Sequence, residues 1–177
     1  MRLFIGIPLA AETVAALTAF VDSLRAPNDG LRWSAAAGWH ITLQFLGSAT
    51  ASQCECVKAR LADVRQQPFA IQLESPGFFD RAGVFFVGVA VSPDLAALQA
   101  RVTEATKPCG FVAEERPYHP HITLARSKSG RAPLTRLKSH LGHVPAFAPF
   151  VASQFLLYES FPDPGGSRYE VQSRFPL

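Results

Sequence analysis

The chain has 177 residues, 48% of them hydrophobic, and carries a net charge of only +3. That is enough apolar material for one sizeable core or two small lobes sharing an interface. No run of 18 apolar residues is available to span a bilayer, and the opening MRLFIGIPLAA breaks at Pro8 before it could serve as a secretory signal, so a cytoplasmic protein with no membrane partner is expected.

In chain order, LFIGI (3–7) reads as a strand, and Val14, Leu17, Val21 and Leu24 follow with the three-then-four spacing of an amphipathic helix. His40-Ile41-Thr42-Leu43 begins a second strand, and Val57, Leu61 and Val64 predict a helix over about 52–66. Cys54 and Cys56 fall in that helix and make an odd set with Cys109. Neighbours spaced C-x-C do not readily bridge each other, so reduced, structural thiols are expected. FAIQL (69–73) reads as the strand that closes the first half.

The same order then returns at a shift of 81. VFFVG (84–88) meets LFIGI, Leu95, Leu98, Val102 and Ala105 repeat the helical spacing, and His121-Ile122-Thr123-Leu124 superposes on the first HITL. Ser92-Pro93-Asp94 supplies an N-cap with proline in the first helical turn. A helix over 133–141 and a strand over 150–154 follow, with the helix out of step with its counterpart. Residues 155–159, a PDPGG turn at 162–166 and the strand 168–175 read as a final hairpin. The expected fold is α+β: one bilobal domain over 1–177 with an internal repeat of about 1–78 and 82–160, and a C-terminal hairpin strand within 168–177. Its two pseudo-symmetric, ferredoxin-like lobes, with mainly antiparallel sheets, flank a central cleft.

Alternate side chains of a strand share a face, so His40 and Thr42 point one way while Ile41 and Leu43 point the other. A His beside a Thr on one half-buried strand is ordinary packing. The same tetrapeptide at the same place in both halves is not, because a twofold relation would converge both pairs on one ligand. One neutral imidazole can accept a proton while a charged one donates, and hydroxyls can hold phosphoryl oxygens, which suits in-line cleavage of a phosphodiester without a metal. Between Arg116 and Tyr158 the chain carries Arg116, Arg126, Lys128, Arg131, Arg136 and Lys138 and no Asp or Glu, a face compatible with a polyanion.

The segments RLFIGI, HITLQFLG preceded by Trp39, PHITLAR, FLLYES and the closing RFPL together resemble the RNA 2',3'-cyclic phosphodiesterase, or 2'-5' RNA ligase, family of the two-histidine phosphoesterases. Both H-x-T-x signatures of that family are intact. The resemblance implies hydrolysis of a terminal 2',3'-cyclic phosphate of RNA, tRNA fragments included, to a 2'-phosphate. It implies His40 as proton donor, His121 as proton acceptor, Thr42 and Thr123 beside them, no cofactor and no metal, with 2'-5' ligation as the reverse reaction. It also makes Arg126 a phosphate contact if a bulge turns it into the cleft. Tyr118 and Trp33 are the first candidates among the aromatics for stacking on a base, ahead of Trp39, Phe45 and Phe79. Lys128 and Arg131 are candidates for steering RNA. His119 is expected to order its loop, since the His119-x-His121 pair lacks further ligands for a metal; His140 and His143 are expected near a helix end. A monomer is expected. The competing readings are an RNA-end binding module without turnover, and a phosphodiesterase acting on 2',5'-oligoadenylate or a small cyclic nucleotide.

Overall fold

The computed structural model describes residues 1–128, 130–163 and 166–177. Two four-stranded sheets dominate, and every recorded strand pairing is antiparallel. Sheet A has the order β10 (Gly166–Pro176), β9 (Gln154–Asp163), β1 (Arg2–Pro8) and β3 (His40–Ser48). Sheet B runs β2 (Leu31–Trp33), β7 (His121–Ser127), β6 (Val84–Val89) and β5 (Leu73–Phe79). A short ladder joins β4 (Phe69–Ile71) to β8 (Phe150–Ala152). The turn expected at 162–166 includes residues 164 and 165, which lie outside the described set; its flanking strands pair as a hairpin.

Among the described residues four α-helices complete the fold: α1 (Ala11–Leu24), α2 (Ala51–Leu61), α3 (Pro93–Thr106) and α4 (Ala132–His140). Their buried stripes meet one face of each sheet in a continuous core that includes Ile5, Ile41, Leu17, Val57, Phe85, Ile122, Leu98 and Leu134. α1 buries Thr13, Leu17, Phe20 and Val21, one residue out of phase with the stripe expected through Val14 and Leu24. α2 opens with a Thr50–Gln53 capping box and stops at Leu61, not at 66; the chain then turns back and still buries Val64. Ser92 caps α3 by accepting from the Leu95 amide at 3.2 Å. No helix among the described residues is long and apolar enough to cross a membrane.

The two sheets are not the two sequence halves. β5 leaves the first half to pair with β6, and β9 leaves the second half to pair with β1, so each lobe borrows its neighbour's last strand. The chain crosses over at β4 and β8, where Ala70 faces Val151, its own counterpart at a separation of 81, as a twofold relation between the halves would place them. Neither β2 nor β5 is visible as a strand in the sequence pattern. β2 has three residues, and β5 contains Pro76-Gly77, tolerated because it is an edge strand with a register irregularity between Leu73 and Pro76. A Cβ on Gly77 would lie 2.5 Å from the Phe86 ring.

The cysteines depart from expectation. Cys56 on α2 is bonded to Cys109 in the short turn after α3, and only Cys54 is free and buried. The C-x-C spacing excluded the Cys54–Cys56 pair alone; it carried no information on α3 ending beside α2. Disulfides are uncommon in reducing compartments, so this pairing lends no support to the cytoplasmic expectation.

Candidate active site

β3 and β7 run close to one another between the sheets, and each presents its histidine and threonine away from the core. Ile41, Leu43, Ile122 and Leu124 are buried, whereas His40, Thr42, His121 and Thr123 are half-buried. The imidazoles are held in the same way. His40 Nδ1 lies 2.8 Å from the Gly38 carbonyl oxygen, and His121 Nδ1 lies 2.8 Å from that of His119. A carbonyl only accepts, so each Nδ1 carries the hydrogen and each Nε2 is left to exchange a proton. Among the described residues neither threonine hydroxyl makes a hydrogen bond within the protein.

Both rings stand among aromatic side chains. Phe4, Tyr169 and Tyr158 lie 4.6, 5.2 and 5.7 Å from His40, and Phe79 and Phe86 lie 5.0 and 5.2 Å from His121. Burial pushes His40 down to about 4 against the bond to Gly38, and the charge of His121 adds to the fall. His121 is lowered too, first by burial against the bond to the His119 carbonyl, then by electrostatic repulsion from the His119 ring and Arg126. Burial also pushes the Tyr158 hydroxyl up to about 12.

Each motif strand then bulges. The β1–β3 register slips opposite Gln44, and the β6–β7 register slips opposite Ala125, so Leu43-Gln44 and Leu124-Ala125 are buried in succession. The following residues, Phe45 and Arg126, therefore emerge on the face that carries the histidines. Phe45 is 58% exposed, high for a phenylalanine, and occupies on sheet A the place that Arg126 holds on sheet B.

A sequence model of the 2'-5' RNA ligase superfamily matches residues 13–159. The chain belongs to the 2'-5' RNA ligase superfamily. It is similar to the RNA 2',3'-cyclic phosphodiesterase of Geobacillus stearothermophilus, 32% identical over 98% of this chain and 56% of that protein, so it spans little more than half of that relative. It is also similar to the RNA 2',3'-cyclic phosphodiesterase of Escherichia coli K12, 29% identical over 99% of this chain and 96% of that one. The crystal structure of E. coli LigT complexed with 3'-AMP superposes with a TM-score of 0.81 at 27% identity, covering 99% of this chain and 97% of that one.

Against this superfamily fold, the aromatic candidates separate. The Tyr118 hydroxyl donates to the Thr42 carbonyl oxygen at 3.0 Å, and its ring packs on the core, so it braces β3 instead of offering a face. Trp33 points to the core side of β2, edge-on to Phe85, and its indole donates to Asp29 at 2.7 Å. Burial raises the Asp29 carboxyl, but that bond, the Leu31 and Ala26 amides and the charge of Lys128 together hold it below its usual value. Neither ring stands beside the two histidines. Phe45 shares the outward face of β3 with His40, its ring 6.1 Å from that of Phe4, which packs on His40, and the bulge that exposes it has no sequence signal beyond an apolar residue five places after His40. Trp39 is buried. Phe79 faces the His119 and His121 rings, and the His119 main chain orients His121. Lys128 and Arg131 are exposed where β7 passes to α4, and Ser129 between them lies outside the described residues. His140 is the last residue of α4, its Nδ1–H donating to the Arg136 carbonyl at 2.8 Å.

Proposed function

We propose that this protein hydrolyses the 2',3'-cyclic phosphate at the end of an RNA chain to a 2'-phosphate, by acid–base catalysis between His40 and His121. The observation that carries the reading is the matched pair of Nδ1-anchored imidazoles, each with a free Nε2 and an unpartnered threonine hydroxyl on the same strand face. His121 takes a proton from water as the water oxygen attacks phosphorus, and the P–O3' bond breaks. His40 delivers its proton to O3', leaving the phosphate on O2'. Thr42, Thr123 and Arg126 donate to the phosphoryl oxygens as charge builds on them.

A free His40 with its pKa near 4 is mostly neutral, but an anionic phosphate alongside restores its proton affinity, and a buried imidazolium is a strong acid toward a departing alkoxide. Phe45 offers its ring to the terminal base. Lys128 and Arg131 attract the chain electrostatically without touching the reacting atoms. All these residues come from one chain, so a monomer suffices. Ligation would be the same step reversed, with a 5'-hydroxyl in place of water.

End-group analysis tests this reading. An RNA oligonucleotide ending in a 2',3'-cyclic phosphate, incubated with the protein and excess chelator, should acquire a 2'-monophosphate. A 3'-phosphate product would overturn the regiochemistry, and an unchanged end would favour a binding module.

A further inference from the structure

Directly opposite Arg126, across the β2–β7 ladder, stands Arg32. Its neighbours Leu31 and Trp33, and Ala125 opposite Trp33, pack on the core, so both guanidinium groups occupy the cleft side of sheet B with His121 and Thr123. Both arginines are exposed, and among the described residues neither makes an ion pair or a hydrogen bond through its side chain. Like charges directly opposite each other on a sheet are destabilising, the more so when no carboxylate separates them. The Arg32 stem also reaches the other lobe: a Cβ on Gly166, at the start of β10, would lie 3.7 Å from Arg32 Nε and 3.8 Å from Cδ. Gly166 has a φ of 143°, so it combines a backbone suited to glycine with room for the arginine at the mouth of the cleft.

We propose that Arg32, beside Arg126, forms a second phosphate subsite that takes the phosphodiester on the 5' side of the terminal nucleotide. The inference rests on the proposed function, which puts the reacting phosphate between the histidines. Arg126 lies near enough to His121 for its charge to be felt there, and so serves the reacting phosphate. Arg32 stands one strand further out, about 5 Å away at the backbone, on the path to the next phosphate of a nucleotide chain. The unlike residues at the two bulges set the direction: the base goes toward Phe45, and the sugar–phosphate chain toward the arginines. A guanidinium fork suits a phosphodiester better than a point charge would. The subsite makes the protein select ends that belong to a chain over lone nucleoside cyclic phosphates.

The test compares kcat/KM for adenosine 2',3'-cyclic phosphate with that for the same compound bearing a 5'-phosphate. Wild type should favour the 5'-phosphorylated compound by about tenfold or more, and Arg32→Gln should bring that ratio close to one. Arg32→Lys, which keeps the stem and the charge, should recover part of it. An unchanged ratio in Arg32→Gln, whatever the absolute rates, overturns the proposal. If wild type turns over neither compound, the proposed function fails separately, and binding decides the subsite: adenosine 2',5'-bisphosphate should bind wild type about tenfold more tightly than adenosine 2'-phosphate, with the advantage lost in Arg32→Gln. Equal affinities of wild type for the two nucleotides would overturn it too.

Discussion

His40 and His121 are mirror uses of one device: in each, Nδ1 is tied to the carbonyl oxygen two residues upstream, and Nε2 is left for chemistry. The two sites are unequal in burial, and the proton affinity of both is lowered in the unliganded protein. The free-enzyme bell, read as kcat/KM against pH, should therefore peak on the acid side of 6.5, the ordinary histidine value. The kcat bell should lie at higher pH, because a bound phosphate anion favours both imidazolium forms. Steady-state profiles check this; a kcat/KM optimum above that of kcat would contradict it.

Stability should follow the same group. The folded pKa of His40, about 4, lies below the unfolded value of 6.5, so between those pH values the unfolded chain binds a proton that the folded chain refuses. Stability is thus fully present above pH 6.5 and declines as pH falls toward 4, by at most about 3 kcal/mol from this residue. Urea midpoints at pH 7 and pH 4.5 should drop less in His40→Gln than in wild type, with the carboxylate contributions common to both. An equal drop would remove His40 from the account.

Gly6 lies beneath His40, on β1 opposite the β3 bulge. A Cβ there would come 2.9 Å from the Ile41 carbonyl oxygen and 3.3 Å from His40 Cδ2. Backbone cannot yield as a side chain would, so Gly6→Ala should lower stability by about 1–3 kcal/mol and displace the imidazole. Turnover should fall at least tenfold while RNA affinity changes little. Unaltered turnover with normal melting would show that the strand spacing is not what positions His40.

The Cys56–Cys109 bond closes a sequence separation of 53 residues, worth about 4 kcal/mol in the chain-entropy account. The same turn is fastened by Gln53 Nε2 donating to the Cys109 carbonyl at 3.3 Å, and by Thr106 Oγ1 donating to Gln44 Oε1 on β3 at 2.9 Å. Cys56→Ser should melt lower than wild type in non-reducing buffer and equal it in reducing buffer. A gap that persists under reduction would assign the loss to packing.

What could be read in advance was whatever the chain states twice. The paired HITL motifs and the flanking strand–helix order were legible because both halves repeat them. Their faces followed from strand alternation, and the family from the motifs with their flanking segments. The strand exchange of β5 and β9 was not legible, since an apolar strand pattern does not say which sheet it joins. Equivalent pairings also slide: Gly6 faces Thr42 while Phe86 faces Thr123, so the first strands are offset by 80 and the motifs by 81. Arg32 was hidden because its partner lies far along the chain and its strand has only three residues. Phe45 and Arg126 emerge only through bulges, which leave no mark in composition.

The central claim is that His40 and His121 act as one acid–base unit, and single-turnover opening of a 2',3'-cyclic phosphate by wild type, His40→Ala, His121→Ala and the double variant tests it most directly. Each single replacement should slow the reaction by about 10²–10⁴-fold, and the double should be little slower than the worse single. Losses that multiply, or a His40→Ala protein near the wild-type rate, would contradict it.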